Sequence, residues 1–334
     1  MDWIAPLLDW YRINARDLPW RRTRNAYAVW ISEIMLQQTR VAAVIPYYER
    51  FMSELPDIAA LAAVDDDRLH KLWEGLGYYS RARNLKRAAI EIVERCGGDL
   101  PDTYESLLTL PGIGAYTAGA IASIAFGEAV PAVDGNVLRV YARFFALERD
   151  IRDPAFKSEV RAALFPRIPK DTPDVFNAAL MELGATVCLP NGAPKCEACP
   201  VQAGCEAFRQ GRTTELPVIV AKKARRIERK TVFALTMDGR LLGLRGPETG
   251  LLAGLWRLPE AEGELTDAES AAWIGMHGLI PKGELRFYER KHIFSHVEWH
   301  MRVCAAEVSA DALPAGWVRL DESNALPTAY RVCL

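Results

Sequence analysis

Leu110-Pro111-Gly112-Ile113-Gly114 runs directly into Ala115-Tyr116-Thr117-Ala118-Gly119-Ala120-Ile121-Ala122-Ser123-Ile124-Ala125-Phe126, a turn signal followed at once by small and apolar residues. Proline sets the entry to a turn and the glycines permit a tight one, which leaves backbone N–H groups exposed at a helix start where an anion can bind. A DNA phosphate fits that description, and so does an ordinary helix–helix turn. Ser106 to Gly127 carries no charge, which raises the question of a membrane span. Pro111, Gly112 and Gly114 break it near its start, and its Ala, Gly, Ser and Thr content is only weakly apolar. The stretch therefore reads as a turn followed by a buried helix.

Working outward, Asp2 to about Arg209 reads as helix after helix with short breaks. Ala28 to Met52 has Ile31, Ile34, Met35, Val41, Val44, Ile45, Tyr48 and Phe51 at helical spacing, with Pro46 as a kink or boundary. Ala82 to Arg95, Val137 to Leu147 and Asp174 to Cys188 repeat the pattern. Gly211 to Lys230 is a charged passage with Pro217 and the run Lys222, Lys223, Arg225, Arg226, which reads as a linker. Beyond it the texture changes to short β-branched or aromatic runs, Thr231 to Met237, Leu241 to Leu244, Glu284 to Tyr288 and Met301 to Glu307. Turns fall at Asp238-Gly239 and Pro281-Lys282-Gly283. The expected fold is mainly α, with a smaller α+β domain at the carboxyl end.

The chain has 334 residues, too many for one ordinary core, and 50% hydrophobic with 25% charged residues is a globular composition. The formal net charge of -2 means that any basic surface is local. Met1 to Trp20 carries Asp2, Asp9 and Asp17 and lacks a basic start before an apolar run, so a cytoplasmic protein without a membrane span is expected.

Of seven cysteines, Cys188, Cys196, Cys199 and Cys205 fall close together as C-x7-C-x2-C-x5-C. Four thiolates so near in sequence can wrap one soft metal centre, zinc or an iron–sulfur cluster. Zinc sites commonly use two facing C-x2-C pairs, whereas only one pair is tight here. Asp134, in Val133-Asp134-Gly135-Asn136-Val137, stands at a helix start. That is an ordinary N-cap position, and it is also one whose N–H groups and dipole favour an ionised carboxylate. Glu33 lies inside Ile31-Ser32-Glu33-Ile34-Met35-Leu36-Gln37-Gln38-Thr39 between apolar neighbours. A mid-helix glutamate is usually solvated surface, but if desolvated its pKa rises and it can act as a general acid near neutral pH.

The resemblance becomes specific when these pieces are taken in order: Trp20-Arg21, the Glu33 helix with Gln37-Gln38-Thr39, Gly75-Leu76-Gly77-Tyr78-Tyr79-Ser80-Arg81-Ala82-Arg83-Asn84-Leu85, the Leu110 to Gly114 turn, Val133-Asp134-Gly135-Asn136 and the four cysteines. Together they resemble the helix-hairpin-helix DNA glycosylases of the endonuclease III superfamily, and within it the adenine-specific members. Gly250-Leu251-Leu252-Ala253-Gly254-Leu255-Trp256 and His292-Ile293-Phe294-Ser295-His296 are similar to that branch's Nudix-like domain. The resemblance implies a helical glycosylase domain over residues 1–210. Within it, residues 20–130 form a six-helix module with the hairpin, and residues 1–19 and 131–210 a cluster module. A linker over 211–230 and a Nudix-like lesion-recognition domain over 231–334 follow.

The resemblance further implies base excision from double-stranded DNA, the substrate being adenine opposite 8-oxoguanine or guanine, by a monomer carrying a 4Fe-4S cluster on Cys188, Cys196, Cys199 and Cys205. Adenine must leave the stack to be reached. Tyr78 and Gln38 then intrude near the lesion pair, Leu18, Trp20 and Arg21 help form the adenine pocket, and Gly112 and Gly114 meet backbone phosphate. Glu33 protonates the departing base, Asp134 stabilises the oxocarbenium-like sugar or attacks it transiently, and Asn136 orients the sugar side. Ser295, flanked by Phe294 and His296, reads 8-oxoguanine. Bifunctional members carry a lysine two residues after the hairpin's last glycine as an amine nucleophile, and here that residue is Tyr116, so cleavage without strand incision is implied.

Two departures stand out. The family usually has six residues between the first two cysteines, and here there are seven, Leu189 to Lys195; Ala178 stands where many relatives have Gln or Glu. Three rivals remain: a lyase, opposed by Tyr116; a Nudix hydrolase, opposed by Glu260-Ala261-Glu262-Gly263-Glu264 in place of a glutamate-rich metal-binding helix; and a non-catalytic iron–sulfur DNA-binding protein, opposed by Glu33 and Asp134 in their motif positions.

Overall fold

The computed structural model describes residues 3–220 and 224–334, so Lys222 and Lys223 of the basic run lie outside the described residues. By contact the chain divides into two units, Met1–Ala63 with Arg83–Ala221, and Val64–Ala82 with Lys222–Leu334. The excursion of Val64–Ala82 into the second unit was not anticipated by dividing the sequence at 210 and 231.

The first unit is helical. Helix Ala26–Leu36 opens on Asn25, whose side chain accepts the Ala28 N–H at 2.9 Å, and buries every residue from Tyr27 to Met35. A helix apolar on all sides must be enclosed by others, and helix Ala115–Phe126 packs on it. Its Ala118, Ala120, Ala122 and Ser123 are short enough for close approach. The chain does not break at Pro46. It breaks at Gln37–Arg40, where Gln38 takes a φ of 60°, and Pro46 lies within the next helix, Val41–Glu54. A proline there removes one donor and bends the helix without ending it.

Helices Ile4–Asn14, Gly135–Phe144, Pro154–Leu164 and Pro173–Thr186 share a second core of Leu7, Val137, Phe156, Phe176, Leu180 and Leu183. Asn177 ties the two parts of this unit together. Its Nδ2 donates to Ser123 Oγ at 2.8 Å and to the Val130 carbonyl at 2.9 Å, and its Oδ1 accepts the Ala132 N–H at 2.9 Å. The loop that delivers Asp134 is thereby pinned to both helices.

The second unit carries eight strands among the described residues: β1 (Arg226–Met237), β2 (Arg240–Arg245), β3 (Trp256–Arg257), β4 (Glu260–Glu262), β5 (Ile280–Pro281), β6 (Arg286–Ile293), β7 (Val297–Ser309) and β8 (Trp317–Arg319). The sheet order is β3-β2-β1-β7-β5, with β4 on β1, β6 on β7 and β8 on β2. The charged passage ends sooner than its composition suggests, because Arg226–Lys230 already belong to β1 and pair in parallel with Val297–Met301. Thr231–Leu235 are buried without alternation because both faces are covered. Phe233 stacks on Trp273 of helix Asp267–Met276 at 3.8 Å on one face, while Val232 and Ala234 meet Ala329 and Tyr330 on the other. β4 places Glu260 on a strand, bonded to Lys230 and Tyr330, and not on a metal-binding helix.

Asn177→Ala leaves the Ala132 N–H, the Val130 carbonyl and Ser123 without their buried partner, so a loss of about 3 kcal/mol is expected. The urea midpoint should fall with an unchanged slope; an unchanged midpoint refutes the assigned role.

Candidate active site

The hairpin turn is built as its residues demand. Pro111 takes the second position and Gly112 the third with a φ of 77°, and the Ile113 N–H closes onto the Leu110 carbonyl at 3.2 Å. Gly114 then caps helix Ala115–Phe126 with no side chain, so its first amides stay available. Both glycines line a cleft of about 1000 Å³ in the first unit, together with Leu18, Trp20, Arg21, Glu33, Gln38, Tyr116, Asp134 and Asn136. Ten of the residues singled out from sequence therefore meet at one place.

Glu33 is 5% exposed. Burial pushes its pKa up to about 7; the Tyr116 hydroxyl, which donates to Glu33 Oε2, pulls it down, the Asp134 charge raises it and Arg21 lowers it. Tyr116 is thus more than the absence of a lysine. Its own pKa is raised by burial and by both carboxylates, so the phenol keeps its proton and donates it in a hydrogen bond. The same oxygen lies 3.3 Å from Met181 Sδ.

Asp134 is an N-cap as expected, its Oδ1 accepting the Val137 N–H at 2.8 Å, and its Oδ2 accepts Asn136 Nδ2 at 2.6 Å. The helix start does not act alone on this carboxyl. Burial pushes its pKa above the ordinary range, and the backbone and Asn136 donors with Arg139 pull it back. Arg139 in turn grips Asn136 Oδ1 at 2.8 Å and the carbonyls of Cys188 and Gly184 at 2.7 Å each. Gly184 is required there, since a Cβ would stand 2.5 Å from Asn136 Cβ.

One carboxylate on the wall of this cleft was not foreseen. Glu182, fully buried, accepts from Arg16 and from Arg21 Nη2, and burial raises its pKa less than these hydrogen bonds lower it, leaving it at about 2. It shares the signal that marked Glu33, a glutamate among Leu180, Met181 and Leu183. Ala178 also lines the cleft and presents no polar group.

Of the other predicted residues, Tyr78, Phe294, Ser295 and His296 belong to the second unit. Phe294-Ser295-His296 form the turn between β6 and β7, closed by the Phe294 N–H on the Val297 carbonyl at 2.9 Å, with Ser295 and His296 exposed. Phe294 is packed edge-on against Trp299 at 4.8 Å. Tyr78, 46% exposed with a φ of 47°, meets Ser295 Oγ through its hydroxyl at 2.8 Å. Asp67 pairs with Arg245, and the Leu326 N–H donates to Glu74 Oε1 at 3.0 Å, which explains the grouping of Val64–Ala82.

Cys188, Cys196, Cys199 and Cys205 are free thiols around one cavity walled by Val140, Leu183, Val187, Val201 and Phe208. Arg143 Nη1 lies 3.2 Å from Cys188 Sγ, a donor suited to a thiolate. Among the described residues no three His, Cys, Asp or Glu side chains group closely enough to hold a metal ion. Four thiols around one cavity suit a soft metal centre held by thiolates.

Residues 31–165 match the HhH-GPD superfamily base excision DNA repair protein family and residues 231–334 the NUDIX domain. A solved thermostable thymine-DNA glycosylase is 28% identical with a TM-score of 0.56, over 62% of this chain and 95% of that one. The adenine DNA glycosylase of Homo sapiens is 35% identical over 98% of this chain and 73% of its own length. That of Mus musculus is 36% identical over 97% and 76%. A likeness that spans both domains and most of each relative leaves one conclusion: the chain belongs to the adenine DNA glycosylase family.

Proposed function

We propose that this protein removes adenine from double-stranded DNA where it stands opposite 8-oxoguanine or guanine, hydrolysing the N-glycosidic bond of a base turned out of the helix into the cleft. The observation that carries the reading is the pair of buried carboxyls, Glu33 and Asp134, lining one cleft with unlike partners. Adenine is a poor leaving group as an anion. Glu33, with a pKa of about 7, holds a proton at neutral pH and transfers it to the base, so the C1′–N9 electron pair departs with neutral adenine. The sugar becomes cationic, and the Asp134 carboxylate stabilises it. Water adds its oxygen at C1′ and its proton returns to the carboxyl pair. This is the division of labour of glycoside hydrolysis.

Tyr116 offers no amine, so no Schiff base forms at this position, and its hydroxyl orients Glu33. Leu18, Trp20 and Arg21 wall the adenine pocket, and Gly112 and Gly114 present backbone amides to phosphate. Gln38 and Tyr78, both held at positive φ, occupy the opened stack, and Ser295 reads the opposite lesion from the tip of its turn. Cys188, Cys196, Cys199 and Cys205 would hold a 4Fe-4S cluster. Such a group would supply iron that binds the four thiolates and so ties down the loop after helix Pro173–Thr186, and the hydrolysis needs no electrons from it.

Glu33→Gln keeps size but loses the transferable proton, so single-turnover excision from a duplex with adenine opposite 8-oxoguanine should fall by about 10²-fold or more while the duplex still binds. Because the donor must be protonated, the parent rate should decline as pH rises through about 7. A variant at the parent rate excludes Glu33 as the acid. Ser295→Ala should narrow the preference for 8-oxoguanine over guanine by about 1–3 kcal/mol and spare the chemistry; an unaltered ratio places lesion reading elsewhere. Protein purified without oxygen after iron-replete growth should contain about four irons per chain, and stoichiometric zinc instead would exclude the cluster.

A further inference from the structure

Arg21 stands on the wall of the cleft with three restraints. Its Nη2 donates to Glu182 Oε2 at 2.7 Å, its Nη1 to the Arg16 carbonyl at 3.1 Å, and the guanidinium lies 5.6 Å from the centre of the Tyr11 ring. Glu182 itself cannot move toward another partner. Its side chain is wholly buried, and Arg16 occupies it through Nε at 2.7 Å, Nη2 at 2.8 Å and the backbone N–H at 3.2 Å. The carboxylate is therefore a fixed anchor and Arg21 the side chain that it holds.

The groups that act on Glu33 come from every element around it. Helix Ala115–Phe126 presents the Tyr116 hydroxyl, the start of helix Gly135–Phe144 presents Asp134, and the turn Pro19–Arg21 presents Arg21. Arg24, Arg139, Lys157 and Asp174 line the same cleft, but Arg24 is paired with Asp174 and Arg139 with Asn136. Arg21 is the cation whose charge reaches Glu33. A free guanidinium beside a buried carboxyl would form the ion pair, and an ion-paired Glu33 has no proton to give.

We infer that Glu182 is a positioning residue for the proton donor: by gripping Arg21 against the cleft wall it keeps that guanidinium from pairing with Glu33. The inference rests on the reading of Glu33 as the acid. It also accounts for a buried Glu182 that the proposed chemistry does not use. A wholly buried carboxylate gripped by two part-exposed arginines adds little stability over apolar packing, whereas orientation of a charge is a use that apolar residues cannot serve.

The test is the pH dependence of single-turnover adenine excision by the full chain, between about pH 5 and 9, for the parent, Glu182→Gln, Arg21→Gln, the double variant and Glu33→Gln. Glu182→Gln should move the alkaline decline down by about one pH unit, because Arg21 released from its anchor stabilises ionised Glu33. Adding Arg21→Gln should remove that displacement, so that the double variant declines where Arg21→Gln alone does. A decline in Glu182→Gln at the parent pH overturns the inference, as does a double variant that stays displaced. Should Glu182→Gln fail to fold, Glu182→Asp, which keeps the charge but shortens the reach to Arg21, takes its place: a decline displaced downward and restored by adding Arg21→Gln supports the inference, and a decline at the parent pH refutes it. A decline that persists in Glu33→Gln overturns the acid assignment and this inference together, whereas one that vanishes with Glu33 yet ignores Glu182 overturns only the latter.

Discussion

Desolvation of one carboxyl governs the rest of the cleft. Glu33 sits on a helix with almost no solvent-facing side, and removing a carboxyl from water favours its neutral form. The helix can be enclosed because its neighbour, Ala115–Phe126, is built from small side chains, and the neighbour can begin where it does because Pro111 and Gly112 turn the chain abruptly. One buried polar group then has to be satisfied without being ionised outright. Tyr116 does this, a donor that keeps its own proton and that the carboxyl can accept in either state.

The second carboxyl shows how partners, and not burial alone, divide acid from anion. Asp134 is buried too, yet it receives a backbone N–H and an amide N–H, both directed at an anion. Asn136 is held in turn by Arg139, which spans to the carbonyls of Gly184 and Cys188. Arg143 on the same helix bonds the Leu189 and Leu216 carbonyls and approaches Cys188. Two buried arginines on one helix thus tie the loop of Asp134 to the cysteine-bearing segment. Among the described residues neither arginine has a carboxylate as salt-bridge partner; their donors go to carbonyls, an amide and a sulfur.

The second unit solves a different problem. A turn exposes Ser295 and His296 because β6 and β7 hold the strands on either side in register, His292 opposite Trp299 and Ile293 opposite Glu298. Phe294 is drawn inward onto Trp299, so the turn points its polar residues outward. Val64–Ala82 joins this unit through Asp67, Glu74 and Tyr78, each meeting a group more than a hundred residues further along.

Features that obey local rules are legible along the chain. The turn at Leu110–Gly114, the N-cap at Asp134, the helical periods and the strand texture after Thr231 follow from backbone dihedrals and from spacing along a single element, and all are found. The four cysteines, close in spacing, likewise come to line one cavity. Tertiary structure alone decided the rest. Tyr116 reaches Glu33 across 83 residues and Arg21 reaches Glu182 across 161. Helix continuity through Pro46 and the allegiance of Val64–Ala82 are likewise outcomes of packing. The ionisation of Glu33, Asp134 and Glu182 belongs to the same class. All three are carboxyls among apolar neighbours in sequence, and they differ because hydration and donors are properties of the packed surroundings, which no local stretch of chain contains.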